Sequence, residues 1–246
     1  MVKMRLNPKD QKELVDYWSL AGTPRGRLWL TIRWYAKCLA WLLVVNGSLA
    51  LKRLLDIAVA LAGLLALSPL LLTAMALIKL EDRGPIFFSQ TRVGAHGRPF
   101  EMWKFRSMVR NADALKEQLL AGNEMAGGIT FKMKNDPRIT RVGKWLRKFS
   151  VDELPQIWNV FIGEMSVVGP RPPVPREVAQ YSPEERQRLL AKPGLTCFWQ
   201  VGGRSKIDFG GQVRLDLEYI RSRSLWIDVK LLLKTVPAVL MGDGAY

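Results

Sequence analysis

The sequence predicts an α+β chain, mostly helical, that is held at a membrane. Its parts are a kinked re-entrant membrane helix, a small β-hairpin and interfacial amphipathic helices. Three observations lead there. The longest apolar run, Leu54 to Leu80, is interrupted at its centre by Ser68-Pro69. Both flanks of that run are basic. Nine tryptophans, with 37 Lys+Arg against 22 Asp+Glu and a formal charge of +15, suit a surface that meets lipid headgroups. The same charge would suit a phosphorylated substrate or a nucleic acid. The apolar run argues against the last, so no nucleic-acid partner is expected.

The 246 residues suit one domain with an appendage. Residues 1–51 are expected to be an N-terminal extension, 52–80 the re-entrant helix and 81–246 a domain on the cytoplasmic face. The polar N-terminus has no apolar segment before a small-residue site, so no cleavable signal peptide is expected. Cys38, Cys197 and the one histidine, His96, are too few for a metal cluster. A Cys38–Cys197 disulfide is left open, and reduced thiols fit a cytoplasmic setting.

In chain order, residues 1–27 read as a short helix or a loose extension. Leu28 to Val45 is apolar but carries Arg33 and Lys37 among Trp29, Trp34 and Trp41, the pattern of an interfacial helix. A short hydrophobic anchor competes with that reading. Asn46-Gly47-Ser48 is expected to break the helix. Lys52 and Arg53 then open the apolar run and are expected to anchor it at the interface. Its 27 residues would reach about 40 Å as a straight helix, enough to cross a bilayer. Pro69 lacks an N–H and clashes with the preceding turn, which predicts a kink. Ser68 is placed to satisfy the carbonyl that Pro69 leaves free. Positive charge at both ends favours the cytoplasmic side for both, so the helix would enter one leaflet and return. An ordinary transmembrane helix with a tolerated proline is the alternative. Asp56 is expected where the helix enters, paired with a base.

Gly84-Pro85 is a turn. Ile86 to Val93 and Phe100 to Arg106 read as two strands joined by Gly94 to Pro99. Asn111 to Ala121 is expected to be a surface helix, followed by a loop bounded by Gly127-Gly128 and Asn135-Asp136-Pro137. Ile139 to Phe149 predicts a basic amphipathic helix with Val142, Trp145, Leu146 and Phe149 on one side. Pro183 to Leu190 and Leu215 to Ile220 read as helices. Trp226 to Leu240 reads as a second surface helix that Pro237 would bend.

Between the basic helix and a helical apolar pattern (Leu154, Ile157, Trp158, Phe161, Ile162) lie two adjacent acids, Asp152 and Glu153. Ser150-x-x-Glu153 has the form of a capping box. Equally, carboxylates near a helix N-terminus and many cations suit a nucleophile or a metal ligand. Seven Lys/Arg lie between Lys132 and Lys148 against the single acid Asp136. Arg171, set in Gly169-Pro170-Arg171-Pro172-Pro173, is either a solvated residue of a connector or a fixed guanidinium suited to phosphate. Gly202-Gly203-Arg204-Ser205 raises the same choice for Arg204.

From about Lys52 onward the chain resembles the bacterial sugar transferases, the monotopic phosphoglycosyl transferases. The resemblance runs through Lys52-Arg53-Leu54-Leu55-Asp56, Ser68-Pro69, Gln90-Thr91-Arg92-Val93-Gly94 and Lys104-Phe105-Arg106-Ser107-Met108. It continues through Asp136-Pro137-Arg138, Leu146 to Gln156, Gly169-Pro170-Arg171-Pro172, Pro193-Gly194-Leu195-Thr196 and Trp199 to Arg204. Cys197 stands where that family usually has glycine. The resemblance implies transfer of a sugar 1-phosphate from a nucleoside diphosphate sugar, usually a UDP-sugar, to polyprenol (undecaprenyl) phosphate at the bacterial inner membrane. It implies Asp152 as nucleophile, Glu153 as ligand of Mg²⁺, Arg147, Arg171 and Arg204 on phosphate, and a re-entrant helix kinked at Ser68-Pro69. The alternative function is a non-catalytic basic scaffold at the membrane surface. A homodimer is left open.

Overall fold

The computed structural model describes residues 12, 18–112, 114, 115, 136–203 and 207–241. The chain divides into two compact units, Met1–Lys52 and Arg53–Tyr246. The expected surface helix and loop over 111–135 fall mostly outside the described residues, and Arg204 wholly so.

Helix α1 spans Pro24–Ala66. Thr23 starts it, its Oγ1 accepting from the Gly26 N–H at 2.9 Å. The expected break at Asn46-Gly47-Ser48 is absent, and the helix runs straight through. One glycine costs a helix only about 1 kcal/mol, less than good helix formers on both sides recover. In the first unit Trp29, Trp34 and Trp41 are exposed, and Arg33 lies over the Trp29 ring.

The predicted kink is present. Helix α1 ends before Leu67, α2 covers Ser68–Asp82, and the two axes differ by 61°. Pro69 sits in the first turn of α2, where its missing N–H costs nothing. The Ser68 Oγ donates to the Leu65 carbonyl at 2.8 Å, the group four residues before Pro69. Among the described residues no single helix is long and apolar enough to cross a membrane; only the bent pair is. Ala60, Ala74 and Ile78 face the core, while Leu54, Leu65, Leu72 and Leu80 are exposed. A pair of helices apolar on both sides, with only one side covered by protein, is what a lipid-facing element requires.

Strands β1 (Phe87–Val93) and β2 (Pro99–Phe105) form the predicted antiparallel hairpin, in register from Phe87↔Phe105 to Val93↔Pro99. Helix α3, Arg141–Lys148, is capped by Thr140 and presents Trp145 and Phe149 outward among its basic residues. The Glu81 carboxylate, at the end of α2, accepts from the Val142 N–H in the first turn of α3. A 3₁₀ turn, Val151–Glu153, leads into α4, Gln156–Ile162. The sequence reading missed a second ladder, in which β3 (Ser166–Val168) pairs in parallel with β4 (Gly194–Thr196). Its crossover holds α5 (Pro175–Ala179), α6 (Pro183–Arg186) and a 3₁₀ turn to Leu190. Glycine is required where these strands touch: a Cβ on Gly194 would lie 2.0 Å from the Gly169 nitrogen. Helices α7 (Phe198–Gly202), α8 (Phe209–Ser222) and α9 (Leu225–Met241) complete the unit.

Two hydrophobic clusters form the core. One gathers Ala60, Met102, Val160, Met165, Tyr219 and Leu231. The other joins Ala74, Ile78, Phe105, Leu146 and Val151. Leu154 packs against both, so the acid pair lies on the seam between them. Helix α1 is tied to this frame by two polar side chains. Arg53 donates to the carbonyls of Val160 and Phe161, both at 2.6 Å, at the C-terminal end of α4. Asp56, 3% exposed, accepts from the Ser166 hydroxyl at 2.9 Å and the Val167 N–H at 3.0 Å. The partners of Asp56 are thus a hydroxyl and a backbone N–H and not the expected base. Asp56 terminates a buried strand, where carboxylate acceptors satisfy donors that have no other outlet.

A buried ion pair fixes the approach to α3. Arg138 donates to both Asp136 oxygens, with its Nη2 2.6 Å from Oδ2. Hydrogen bonding from Arg138 holds the Asp136 carboxyl below its ordinary value, against the opposing effect of burial. A depressed carboxylate stabilises the fold above its unfolded value of about 3.9, and that stability is lost as pH falls toward the folded value. Thermal unfolding of wild type and Asp136→Asn should differ by several degrees at pH 7. The gap should narrow below about pH 4; a gap constant down to pH 3 would remove the ion pair as its source.

Candidate active site

The acid pair rests on a strained turn. Ser150 has φ 55° and ψ 22°, the left-handed region that a serine rarely adopts. Its side chain makes no cap hydrogen bond, so the capping-box reading is corrected. The Glu153 side chain points away from the Ser150 backbone and toward β2. There its Oε1 accepts from the Lys104 Nζ at 2.7 Å, with the Arg171 guanidinium 3.8 Å away. The left-handed Ser150 turns the chain out of α3, and the Glu153 carboxylate faces the hairpin and not the helix end.

Asn159 holds that arrangement. Buried completely, it accepts from the Trp103 N–H at 3.1 Å and donates to the Glu101 carbonyl at 2.7 Å. Helix α4 thereby grips β2 on the residues just before Lys104. The lysine's place beside Glu153 is thus a matter of register.

The two acids have different surroundings. Burial raises the Glu153 pKa, but Lys104, Arg171 and Arg92 outweigh it and bring the carboxyl down to about 2. Glu153 is a fixed anion at every physiological pH. Asp152 is pushed up, first by burial and then by the Glu153 charge beside it, while Lys104 and Arg147 pull it back. With Glu153 engaged by Lys104 and Arg171, Asp152 is the carboxyl of the two with the higher proton affinity, a property that suits a nucleophile.

The cleft beside Glu153 is lined by Arg92, Gln156, Arg171, Pro172, Leu195 and Gln200, among others. It encloses about 10 Å³, room for roughly one water. Of the residues singled out from sequence, Asp152, Glu153 and Arg171 come together, and Arg147 lies within electrostatic reach of Asp152. Ser68 and Pro69 make the bend between α1 and α2, and Arg53 serves an internal contact with α4. Lys104 and Arg92 were missed as site residues. Each lay inside a strand motif, but only strand pairing brings them to Glu153.

Among the described residues no group of three or more His, Cys, Asp or Glu could hold a metal. A Mg²⁺ ion is held through as few as one carboxylate, with water and phosphate oxygens completing its shell; the carboxylate expected to hold it, Glu153, has its Oε1 on the Lys104 ammonium. Both cysteines are free, and burial pushes the Cys197 thiol well up, leaving it inert.

Electrostatically this is an anion site with a carboxylate pair at its centre, built on a frame fastened to a bent apolar helix pair. The chain belongs to the bacterial sugar transferase family, which it matches over residues 47–242. It is 47% identical over 195 residues to a galactosyl transferase, CpsE, of Streptococcus agalactiae, covering 79% of this chain and 43% of that protein. It is 44% identical over 207 residues to an undecaprenyl-phosphate galactose phosphotransferase of Salmonella typhimurium, covering 83% and 43%. Over 204 residues it is 44% identical to a UDP-glucose:undecaprenyl-phosphate glucose-1-phosphate transferase of Caulobacter vibrioides, covering 79% and 72%. The chain thus spans less than half the length of the first two relatives.

Proposed function

We propose that this chain transfers a sugar 1-phosphate from a UDP-sugar to polyprenol (undecaprenyl) phosphate, at the cytoplasmic face of the bacterial inner membrane. This would be the first membrane step in building a polysaccharide or glycoconjugate. The observation that carries the reading is the geometry of the acid pair: Lys104 at 2.7 Å and Arg171 at 3.8 Å engage Glu153, beside which the Asp152 carboxyl is pushed up by burial and by its neighbour's charge. The reactions named for the Salmonella and Caulobacter relatives, with galactose and glucose, support the same class.

In this reading an Asp152 carboxylate oxygen attacks the β-phosphorus of the donor. The bond from that phosphorus to the bridging oxygen breaks, UMP leaves with the electron pair, and an aspartyl-phosphosugar remains. A phosphate oxygen of the polyprenol phosphate then attacks the same phosphorus and frees the Asp152 carboxylate. Arg171 and Arg147 stabilise charge on the phosphoryl oxygens. Glu153 would hold Mg²⁺, whose charge neutralises the diphosphate oxygens. The bent pair α1–α2 enters the cytoplasmic leaflet and returns, with Lys52 near the headgroups and the exposed leucines in lipid. Trp145 of α3 and Phe149 at its C-terminal end, exposed among basic residues, lie at the same surface.

The test is UMP release by the purified chain in detergent, with undecaprenyl phosphate, Mg²⁺ and a panel of UDP-sugars headed by UDP-galactose and UDP-glucose. Sustained release should need both lipid and Mg²⁺ and should select one sugar. Silence with every nucleoside diphosphate sugar would overturn the proposal.

A further inference from the structure

We propose that Arg92 is a positioning residue for the transfer: it holds the segment that carries Arg171, so that the Arg171 guanidinium is turned toward Glu153. This rests on the reading of the site given above.

The segment Gly169–Pro173 is held from two sides. Upstream of Arg171, the Gly169 N–H donates to the Thr196 carbonyl at 3.0 Å, and the Pro170 carbonyl accepts from the Gly194 N–H at 2.9 Å. Downstream lie Pro172 and Pro173, which have no N–H to give a neighbouring strand. Only their carbonyls can be gripped, and β1 grips both. The Val93 N–H donates to the Pro173 carbonyl at 2.9 Å. An Arg92 Nη1 hydrogen goes to the Pro172 carbonyl at 2.9 Å. Its Nη2 donates to the Gln90 Oε1 at 2.7 Å, which fixes the plane of the guanidinium. Without Arg92 the residue directly after Arg171 loses its tether.

Arg171 has need of one. At 3.8 Å from Glu153 and with 39% of its side chain exposed, it makes no short bond among the described residues that would fix its own direction. A backbone clamp one residue away decides where it points. Arg92 is also an expensive choice for mere packing. It is desolvated and lies close to a second guanidinium, which brings its acidity to about 10, and its Nε is buried without an acceptor. A neutral donor would hold a carbonyl at lower cost if the charge field beside Glu153 did not matter.

The experiment is a double-mutant cycle between Arg92→Lys and Arg171→Ala, read both as kcat/KM for UMP release and as UDP affinity by calorimetry. Lysine keeps the charge but, with one ammonium, cannot reproduce the planar two-sided grip. Arg92→Lys alone should lower kcat/KM by about 10- to 100-fold, the scale of a misplaced catalytic group, and weaken UDP binding. In the Arg171→Ala background the same change should cost less than about twofold, because the two residues act in series. Gln90→Ala, which loosens Arg92 and leaves its charge in place, should show a smaller loss that also vanishes in that background. Equal, multiplicative losses in both backgrounds would mean that Arg92 acts by its own contact or through the fold, and would overturn the proposal. So would an Arg92→Lys protein with unchanged turnover and unchanged UDP affinity. A wild type that neither releases UMP nor binds UDP would instead remove the transferase reading and this proposal together.

Discussion

Asp152→Asn should lower UMP release by at least about 10³-fold, because the proposed nucleophile is lost while the cations around it remain. The substitution is nearly isosteric and the side chain is only half-buried, so the fold should survive. A second measurement separates the covalent route from direct transfer. Wild type should exchange labelled UMP into the UDP-sugar without any polyprenol phosphate, since the first half-reaction needs no acceptor. Asp152→Asn should show no exchange. Exchange that needs the lipid would favour direct attack by the acceptor and leave Asp152 in an electrostatic role. A variant that keeps full turnover would return the acid pair to a structural role and revive the scaffold reading.

The largest effect on stability should come from Asp216→Ala. The Asp216 side chain has no exposure, and Arg188 meets its Oδ2 at 2.6 Å with only 5% of its own side chain exposed. Arg188 also donates to the Tyr181 hydroxyl at 3.0 Å and lies against the rings of Tyr181 and Phe209. Burial pushes the Asp216 carboxyl up to about 6, with the Arg188 guanidinium pulling it back. Removing the acid strands a guanidinium in the core, which costs about 3–5 kcal/mol. For a chain of this size that is a fall in Tm of roughly ten degrees. The double variant Arg188→Met, Asp216→Leu should recover most of the loss, since a buried pair is often no better than apolar packing. A Tm as low as that of Asp216→Ala would show that the pair contributes through its other hydrogen bonds.

What the sequence made legible was local. The hairpin announced itself by its strands and the glycines between them. The bend was written in Ser68-Pro69, and the acid pair in its neighbours. What stayed hidden depended on partners far along the chain. Asp56 meets Ser166 across 110 residues, and Lys104 meets Glu153 across 49. The β3–β4 ladder has three residues a side, too short for any period to show. The unbroken helix through Gly47 was misread because a breaker was weighed alone and not against the helix formers around it. Ser150 misled in the opposite way: its motif is a cap by spelling, and a left-handed φ makes it a corner.

Arg53 and Asp56 lie three residues apart on α1 and grip opposite parts of one frame: the end of α4 and the start of β3. The helix proposed to enter lipid is thus joined without slack to the helix that follows the acid pair. Such a joint sets a height. Under the proposed function, how deeply the leucines sink would determine how far Asp152 stands above the acyl chains, and so which phosphorus along a lipid-borne headgroup comes level with it. On that reading, the depth of insertion would then be a variable of the chemistry, with the acceptor measured from the membrane upward.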